Sequence, residues 1–408
     1  MQHINTPTLQ YISTHADDDV SHLALHPSKD PNVDKVVALQ QIAGRQKAKE
    51  KLPEWYATEG IRYPKKVSME QCSSSQTAEY KASLVEGESF ADFSGGFGVD
   101  TAAFAHKFTK GYYVEPQLEL CELFQHNCKV LDINNVDIIN GTMEDNLASI
   151  EHVNMIYLDP SRRDTHGRRV VSLADCTPNL LEWKSALLEH CNTLMVKMSP
   201  MIDIFQTLRD LPETCAVHVV AVEGECKEVL FLLSHEEAMH CVLTMGTNAT
   251  NTKIMAVDIN KTTPTRVETT LETERTTLPQ IATELGTFLY EPNAAVMKAG
   301  IFNALSEQFQ IAKLAKNTNL FTSNELHENF PGRVFTIEAV HEFHPRKTAK
   351  ELSHLESASI AVRNFPLTAE ELRKTLKIKD GNTCYLFGCT LWDGRKVVVV
   401  GDKLAINY

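Results

Sequence analysis

The residues between Phe90 and Pro116 have the types and the spacing needed to bind a ribose and the groups attached to it. An apolar run ends at Asp92, and the loop that follows reads Ser94-Gly95-Gly96-Phe97-Gly98. Three of its positions lack a Cβ atom, so a ligand can come close to the backbone. A second apolar run ends at Glu115, and a carboxylate at such a place can accept hydrogen bonds from both ribose hydroxyls. We therefore predict these cofactor-binding residues: Asp92, Ser94, Gly95, Gly96, Gly98, Asp100 and Glu115.

The elements around this loop are those of a strand–helix–strand unit. Val99 to Phe108 has the apolar spacing of a helix, and Tyr112 to Val114 is typical of a second strand. A glycine turn after the first strand is where open α/β sheets bind nucleotides. The outline serves dinucleotide dehydrogenases and S-adenosylmethionine (SAM) methyltransferases alike. Gly96-x-Gly98-x-x-Thr101 lacks the third glycine of the dehydrogenase fingerprint, which favours a methyltransferase, and a glycine turn without a ligand is the remaining alternative.

A second group of candidates follows the predicted fourth strand, Met155 to Leu158. A carboxylate at the end of this strand, Asp159, would face the transferred methyl group, and Pro160 prevents a helix and presents the next residues outward. The arginines that follow form the densest basic cluster of an acidic region and suit a phosphate-bearing substrate, although a solvated loop is the alternative. That cluster comprises Arg162, Arg163, Arg168 and Arg169. We assign catalysis to Asp159, Pro160 and Arg162, a further cofactor contact to Asp159, and substrate binding to Arg162, Arg163, Lys197 and Ser199.

Two further stretches have roles that the sequence leaves open. The third predicted strand ends at Thr142, where many methyltransferases have an acidic residue that contacts the adenine amine. We include Thr142 among the cofactor contacts although it lacks a carboxylate. The stretch Met69 to Thr77 is rich in hydroxyl and amide groups and comes just before the first strand. It is either a polar loop that caps the next helix or a turn that lies over the cofactor.

Composition limits the class of partner and the compartment. The 408 residues carry a net charge of −13, from 40 basic and 53 acidic side chains, whereas a protein that coats nucleic acid is normally basic. Residues 331–408 have 12 basic and 9 acidic side chains, so any RNA contact should be local. The ten cysteines include no CxxC pair and no long apolar segment is present, which predicts a cytoplasmic protein. His341, Glu342 and His344 lack the spacing of a zinc site, so we predict no metal.

The order of predicted elements indicates four segments. Residues 1–80 form a helical N-terminal region, and residues 81–275 alternate strands with helices as in a doubly wound parallel sheet. Residues 276–330 form a small connecting domain, in which we expect a helix from Leu289 through Ala304. Residues 331–408 form a small α+β module with a hairpin turn at Trp392-Asp393-Gly394-Arg395.

The chain resembles a bacterial family of class I SAM-dependent methyltransferases that carry a C-terminal THUMP-like domain, a group presumed to modify RNA. The resemblance spans most of the chain and rests on short matching stretches. These are residues 41–46, 70–74, 92–100, 159–163, 197–203, 225–228, 290–292 and 362–366. It implies a Rossmann-like SAM-binding sheet over residues 81–275, a ferredoxin-like segment over residues 276–330 and a THUMP-like domain over residues 331–408. It does not supply a substrate.

Three functions remain in competition. The first is RNA methylation, with SAM over the glycine loop and Asp159 orienting or deprotonating the acceptor. The second is an RNA-binding protein that keeps the fold without turnover, and the third is a small-molecule methyltransferase or an NAD-dependent enzyme. The turn Asp159-Pro160-Ser161-Arg162 is similar to that of enzymes that methylate carbon 5 of uridine by means of a cysteine nucleophile. Here Met198 stands where that thiol would be, so we predict direct transfer to nitrogen or oxygen, with Cys226 as the alternative thiol.

Overall fold

The computed structural model describes residues 4–26, 28, 30–161, 173, 176–234, 251–260 and 264–405. The four arginines of the predicted basic cluster, Arg162, Arg163, Arg168 and Arg169, lie outside the described residues. The chain divides into two compact units. The first unit is Met1–Thr214 with Leu230–Thr247, and the second is Cys215–Val229 with Asn248–Tyr408.

In the described part of the chain before β1 there are six helices, and the sequence predicts a helical N-terminal region. They are α1 (Thr6–Thr14), α2 (Val20–Leu25), α3 (Lys35–Lys51), α4 (Pro53–Ala57), α5 (Lys66–Gln71) and α6 (Ser75–Ala82). Asp34 caps α3 by accepting a hydrogen bond from the Val37 backbone N–H. Pro53 starts α4, because proline is tolerated in the first turn of a helix. Residues 69–77 are largely helical, with a capping box between Ser74 and Thr77 at the start of α6.

A parallel sheet forms the centre of the first unit. Its strands are β1 (Gly87–Asp92), β2 (Phe108–Glu115), β3 (Val136–Asn140), β4 (Val153–Leu158) and β5 (Cys191–Met198), in the order β3-β2-β1-β4-β5. The helices between and after them are α7 (Val99–Ala105), α8 (Leu118–Val130), α9 (Met143–Asn146), α10 (Leu180–Glu189) and α11 (Ile204–Asp210), with a 3₁₀ turn at Leu147–Ser149. The strand order reverses between β1 and β4, and ligands bind at the carboxyl ends of strands beside such a point.

Two strands contain the division between the units. They are β6 (Thr214–Val222) and β7 (Glu225–Leu233), joined by a two-residue turn in which Glu223 and Gly224 both have positive φ. The second half of β7, from Leu230, belongs to the first unit. In the second unit the first half of β7 lies beside β6, which pairs in parallel with β8 (Lys253–Ile259), and β9 (Thr265–Thr270) pairs antiparallel with β8.

A second sheet makes up the rest of the second unit. Its strands are β10 (Phe288–Pro292), β11 (Ala312–Ala315), β12 (Thr318–Ser323), β13 (Gly332–Glu342), β14 (Ser357–Arg363), β15 (Lys379–Thr390) and β16 (Lys396–Lys403), in the order β11-β12-β10-β13-β16-β15-β14. The helices of this unit are α12 (Leu271–Thr276), α13 (Ala294–Ala299), α14 (Phe302–Phe309), α15 (Pro345–Glu351) and α16 (Ala369–Leu376). Because β10 pairs with β13, the segments predicted as 276–330 and 331–408 share one sheet.

One prediction for this unit is wrong and another is confirmed. The stretch predicted as a helix from Leu289 through Ala304 begins with β10, which pairs on one side with β12 and on the other with β13. Tertiary pairing therefore overrides the local pattern, and the first helix starts only after its cap, Asn293. The hairpin predicted at Asp393-Gly394 is present, since β15 and β16 pair antiparallel and Gly394 has a φ of +86°.

Candidate functional site

The three glycines of the loop after β1 differ in what surrounds them. A Cβ at Gly95 would lie 2.4 Å from the Tyr113 ring, and one at Gly98 would lie 2.1 Å from the Phe124 ring. These two glycines are required by packing. Gly96 has a φ of +54°, and the atom nearest to an added Cβ would be the Ser94 carbonyl oxygen at 3.6 Å. Gly96 therefore presents an open face, which a ligand could approach and a side chain would fill.

Glu115, at the end of β2, is tied to this open glycine. One carboxylate oxygen accepts a hydrogen bond from the Gly96 backbone N–H, and the other accepts one from the Gln117 backbone N–H, both at 2.9 Å. The residue is buried. Each oxygen still has a lone pair to spare, so the carboxylate can also accept from two hydroxyls of a ligand.

Asp92 lies beneath the loop, with no exposed surface. Its Oδ1 accepts hydrogen bonds from the Ser94 backbone N–H (2.9 Å) and hydroxyl (3.1 Å), and its Oδ2 accepts one from Thr101 Oγ1 (2.6 Å). Burial raises the pKa of Asp92 to about 7, although these hydrogen bonds oppose the rise. This geometry favours an indirect role for Asp92, through the loop residues that it holds.

Ser94 joins the ends of two neighbouring strands. Its hydroxyl donates to Asp92 and accepts a hydrogen bond of 2.8 Å from the backbone N–H of Asp159, the residue that follows β4. The Ser94 side chain therefore links the ends of β1 and β4 at the switch point. The predicted cofactor and acceptor residues therefore meet at one edge of the sheet.

The carboxylate of Asp159 is paired with the ammonium group of Lys197. Lys197 Nζ lies 2.5 Å from Asp159 Oδ2, because β4 and β5 are adjacent and both side chains emerge at the same edge. The ion pair gives Lys197 a partner inside the protein, and the substrate contact that we predicted for it stays a prediction. Ser199 Oγ accepts a hydrogen bond from the Met201 backbone N–H, Pro160 is buried, and Met198 is buried in the core.

The Thr142 hydroxyl caps the short helix α9. It accepts a hydrogen bond from the Asp145 backbone N–H and donates one to the Asp145 carboxylate. The adenine contact predicted for this residue remains a prediction. Capping of α9 is sufficient to explain a threonine at position 142.

The first turn of α7 carries Asp100, which contacts Ser73, Tyr157 and Lys81. Ser73 belongs to the stretch Met69 to Thr77, for which a place over the cofactor was one of two predictions, whereas Tyr157 and Lys81 were not predicted as site residues. Asp100 Oδ2 accepts hydrogen bonds from Ser73 Oγ (2.7 Å) and the Tyr157 hydroxyl (3.1 Å), and its Oδ1 lies 3.2 Å from Lys81 Nζ. Burial favours a higher pKa for Asp100, but the charges of Lys81 and Lys197 outweigh it and hold the pKa below its usual value. A sequence signal existed, since Lys81 occupies the buried face of α6 that also includes Thr77, Ala78 and Ala82.

Cys72, in the same stretch Met69 to Thr77, lies near this edge of the sheet. Lys51 Nζ donates to the backbone carbonyls of Met69 and Glu70, at the end of α5, and its charge acts on the Cys72 thiol together with that of Lys197. Burial raises the pKa of Cys72, although Lys51 opposes the rise. The thiol is therefore mainly protonated at neutral pH.

Comparison with known proteins identifies the family. A family model described as a ferredoxin-like domain matches residues 288–331, and one described as THUMP domain-like matches residues 332–403. A solved structure of a presumed methyltransferase from Porphyromonas gingivalis W83 is 31% identical, and the match covers 99% of this chain and 100% of that chain with a TM-score of 0.86. The chain belongs to this methyltransferase family. Its fold is the Rossmann-like sheet of that family with a ferredoxin-like and THUMP-like C-terminal part.

Other solved structures match a shorter part of this chain. An rRNA methylase from Streptococcus thermophilus is 15% identical over 39% of this chain and 93% of that chain, with a TM-score of 0.30. A presumed methyltransferase from Streptococcus mutans in complex with SAH is 14% identical over 39% and 95% of the two chains, with a TM-score of 0.29. No curated protein matches the chain. None of the described helices has both the length and the apolar character of a membrane span.

Proposed function

We propose that the protein transfers a methyl group from SAM to a nitrogen or oxygen atom of RNA, directly and without a covalent enzyme–RNA intermediate. The observation that carries the proposal is the open face of Gly96 beside the Glu115 carboxylate, at the switch point of a methyltransferase sheet. A ligand that contacts the backbone and donates hydrogen bonds from two hydroxyl groups fits there.

The residues at this edge suit SAM in its separate parts. Gly96 leaves room beside the loop, Glu115 can accept from the ribose hydroxyls, and Asp100 can accept from the ammonium group at the methionine end. SAM supplies a methyl group on a positively charged sulfur, which a nucleophile can displace. We keep the predicted contacts of Ser94, Gly95, Gly98 and Thr142 as part of this proposal.

The acceptor end is proposed to lie at Asp159 and Lys197. Methyl transfer is an in-line displacement, so most of what the protein must supply is alignment of the two reacting atoms. Asp159 is fixed on both sides, by Ser94 at its backbone and by Lys197 at its carboxylate, and can hold or deprotonate an N–H or O–H acceptor. The thioether of Met198 is buried and cannot form the thiolate that attack on a pyrimidine ring requires. Arg162 and Arg163 remain proposed substrate contacts.

RNA binding is proposed for the THUMP-like part. Helices α15 and α16 pack against each other and present exposed basic side chains. On the two helices these are Arg346, Lys347, Lys350 and Lys374. Lys377, which follows α16, and Lys379, which begins β15, are also exposed. We call these six side chains the basic face. The whole chain has a net charge of −13, so this cluster of positive charge is a candidate site for contact with phosphate groups.

We also propose the domain division 1–80, 81–275, 276–330 and 331–408, and a cytoplasmic location. The nine described cysteines are all free thiols, as is common in a reducing compartment.

Transfer of labelled methyl groups from SAM to cellular pools tests the reaction. We expect label in total RNA, and not in protein or small metabolites, and we expect no denaturation-resistant complex with RNA that contains 5-fluoropyrimidine. Label in another pool would contradict the RNA assignment, and an adduct mapped to Cys72 or Cys226 would contradict direct transfer. Binding of SAM without label in any pool would favour the non-catalytic RNA-binding alternative.

A further inference from the structure

A fully buried lysine stands beside the candidate cofactor loop. Lys81, on α6, has no exposed surface, and its Nζ lies 3.2 Å from Asp100 Oδ1 and donates a hydrogen bond of 3.2 Å to Ser73 Oγ. Lysines are almost never fully buried unless they are paired, because removing the charge from water is costly. Burial of the Lys81–Asp100 pair therefore costs stability, and apolar side chains could fill the same space without that cost. The presence of the pair needs a reason other than packing.

The pair leaves one carboxylate oxygen of Asp100 with capacity to bind. Oδ2 accepts two hydrogen bonds, from Ser73 and from Tyr157. Oδ1 is buried and accepts no hydrogen bond from the described residues, although Lys81 is within ion-pair distance. Asp100 is in the first turn of α7, two residues after Gly98, so this oxygen belongs to the helix that the candidate cofactor loop enters.

Charged and titratable groups surround Asp100 from every element packed against it. They are Lys81 on α6, Lys197 on β5, Asp92 on β1, Tyr157 on β4 and Cys72 after α5. The methionine end of SAM is a zwitterion, with one ammonium and one carboxylate group. Asp100 supplies a negative charge that matches the ammonium group, whereas Lys81, which has no exposed surface, acts on the ligand only through Asp100.

We propose that Lys81 and Ser73 are positioning residues that hold Asp100 as the acceptor for the ammonium group at the methionine end of the cofactor. This inference rests on the proposed use of SAM. Lys81 keeps Asp100 charged, and Ser73 fixes the carboxylate through Oδ2, which leaves Oδ1 with the capacity to accept a hydrogen bond from the ammonium group. Helix α6 and the turn before it, which supply Lys81 and Ser73, are then part of the cofactor site.

Two ligands that differ only at the methionine end test the inference. S-adenosylhomocysteine (SAH) carries the ammonium group, whereas 5′-methylthioadenosine shares the adenosine and sulfur but lacks it. We expect Lys81→Met to weaken SAH binding in calorimetry by roughly tenfold or more, as for the removal of a charge-assisted hydrogen bond, and to leave 5′-methylthioadenosine within about twofold. Lys110→Met, which removes an exposed lysine near Asp137 on the same sheet, is the control and should change neither.

The pH dependence of the same titration separates positioning from a general loss of structure. Without Lys81, burial should raise the pKa of Asp100, so the ratio of the variant and wild-type SAH dissociation constants should increase as the pH falls from 8.5 to 6.5. The ratio cancels the titration of Asp92, which both proteins share. In a double-mutant cycle, Lys81→Met should have no further effect once Asp100→Asn is present.

A Lys81→Met protein that loses both ligands equally, or whose effect simply adds to that of Asp100→Asn, would overturn the inference. If Lys81→Met does not fold, Ser73→Ala takes its place and should lose SAH affinity several-fold while keeping 5′-methylthioadenosine, and an unchanged SAH affinity would refute it. A wild-type protein that binds neither ligand would instead remove the proposed function.

Discussion

At the scale of single residues, the candidate site depends on which groups are already satisfied inside the protein. Asp92 and Thr142 have hydrogen-bond partners that explain their presence without a ligand, whereas Gly96 and Asp100 Oδ1 have open space or spare capacity. Gly95 and Gly98 look equivalent to Gly96 in the sequence, yet aromatic rings behind them account for both. The distinction comes only from side chains that pack in three dimensions.

Substituting Gly96 tests its open face. Gly96→Val should abolish SAH binding, because the new side chain fills the space beside the loop and the valine is strained at positive φ by about 1–2 kcal/mol. Gly224→Val is a matched control, since Gly224 also has positive φ and no neighbour within 4 Å of an added Cβ. We expect both variants to lose stability and only Gly96→Val to lose the ligand in calorimetry. Retained binding by Gly96→Val would place the ligand elsewhere.

The buried carboxylate of Asp92 should make stability depend on pH. Its folded-state pKa of about 7 is above the value of about 3.9 in an unfolded chain, so the folded protein binds an extra proton between these values. The stability that this residue contributes is therefore full below about pH 4 and is lost as the pH rises through 7.

Asp92→Asn removes this titration. As the pH rises from about 4 to about 7, the unfolding free energy of the wild type should fall relative to that of the variant by about 1.4 kcal/mol for each pH unit. Above about pH 7 the difference should stay constant. Urea denaturation at pH 5, 6, 7 and 8 measures it. A difference that is constant with pH would mean that the pKa of Asp92 is not raised.

At the scale of elements, the sequence predicts those whose signal is local. The β1–α7–β2 unit follows from apolar runs that end in acidic residues, and the β15–β16 hairpin follows from Asp-Gly. The strand β10 was predicted as a helix, since its identity depends on β12 and β13, which come later in the chain. The contacts of Ser73 and Lys81 with Asp100 were not predicted for a similar reason, because Ser73 meets Asp100 across 27 positions of sequence.

Two motifs noted in the sequence, Tyr290-Glu291-Pro292 and Val362-Arg363-Asn364, meet in the second sheet. Glu291, which is 4% exposed at its side chain, binds Arg333 and Arg363, and Arg363 Nη2 lies 2.9 Å from Glu291 Oε1. This cluster joins β10 to β13 and β14. We expect Glu291→Gln to lower the unfolding free energy of the second unit by about 3 kcal/mol, because it leaves two arginines with an uncharged partner.

Glu268 offers a matched control on the same unit. It also pairs with a lysine and an arginine, Lys253 and Arg266, but its side chain is 35% exposed. Glu268→Gln should therefore change the unfolding free energy by less than about 1 kcal/mol in urea denaturation. Equal losses for the two variants would show that burial does not set the strength of the Glu291 cluster.

At the scale of the whole molecule, charge is distributed unevenly along the chain. Residues 331–408 have a net charge of +3 within a chain of net charge −13. Deleting these residues would be a natural test of their role in RNA binding. The cut would fall within one sheet, however, and would remove β13 from its partner β10. Charge reversal on the surface tests the same idea and leaves the sheet intact.

Reversing three charges of the basic face should weaken RNA binding. Arg346, Lys347 and Lys350 are exposed on α15, and their replacement by Glu should lower affinity at least about tenfold at 0.1 M salt. The slope of log affinity against log salt should fall by roughly 0.7 for each phosphate of single-stranded RNA that the variant no longer neutralises. Filter binding at several salt concentrations measures both quantities.

The control carries the same change of net charge on the first unit. Lys47, Lys49 and Lys107 are exposed there, and their replacement by Glu should leave the salt slope unchanged. If both triple variants lose RNA to the same degree, the effect is one of net charge and the basic face has no special role.

The proposed function depends on binding of SAH at the edge formed by Gly96 and Glu115, and a calorimetric titration measures that binding. The wild-type protein should bind SAH and give no heat with NAD. Glu115→Ala should bind SAH more weakly by about 1.5–3 kcal/mol, as for the loss of hydrogen bonds to a charged group. A wild-type protein that binds NAD rather than SAH, or a Glu115→Ala variant that binds SAH as tightly as the wild type, would contradict the account.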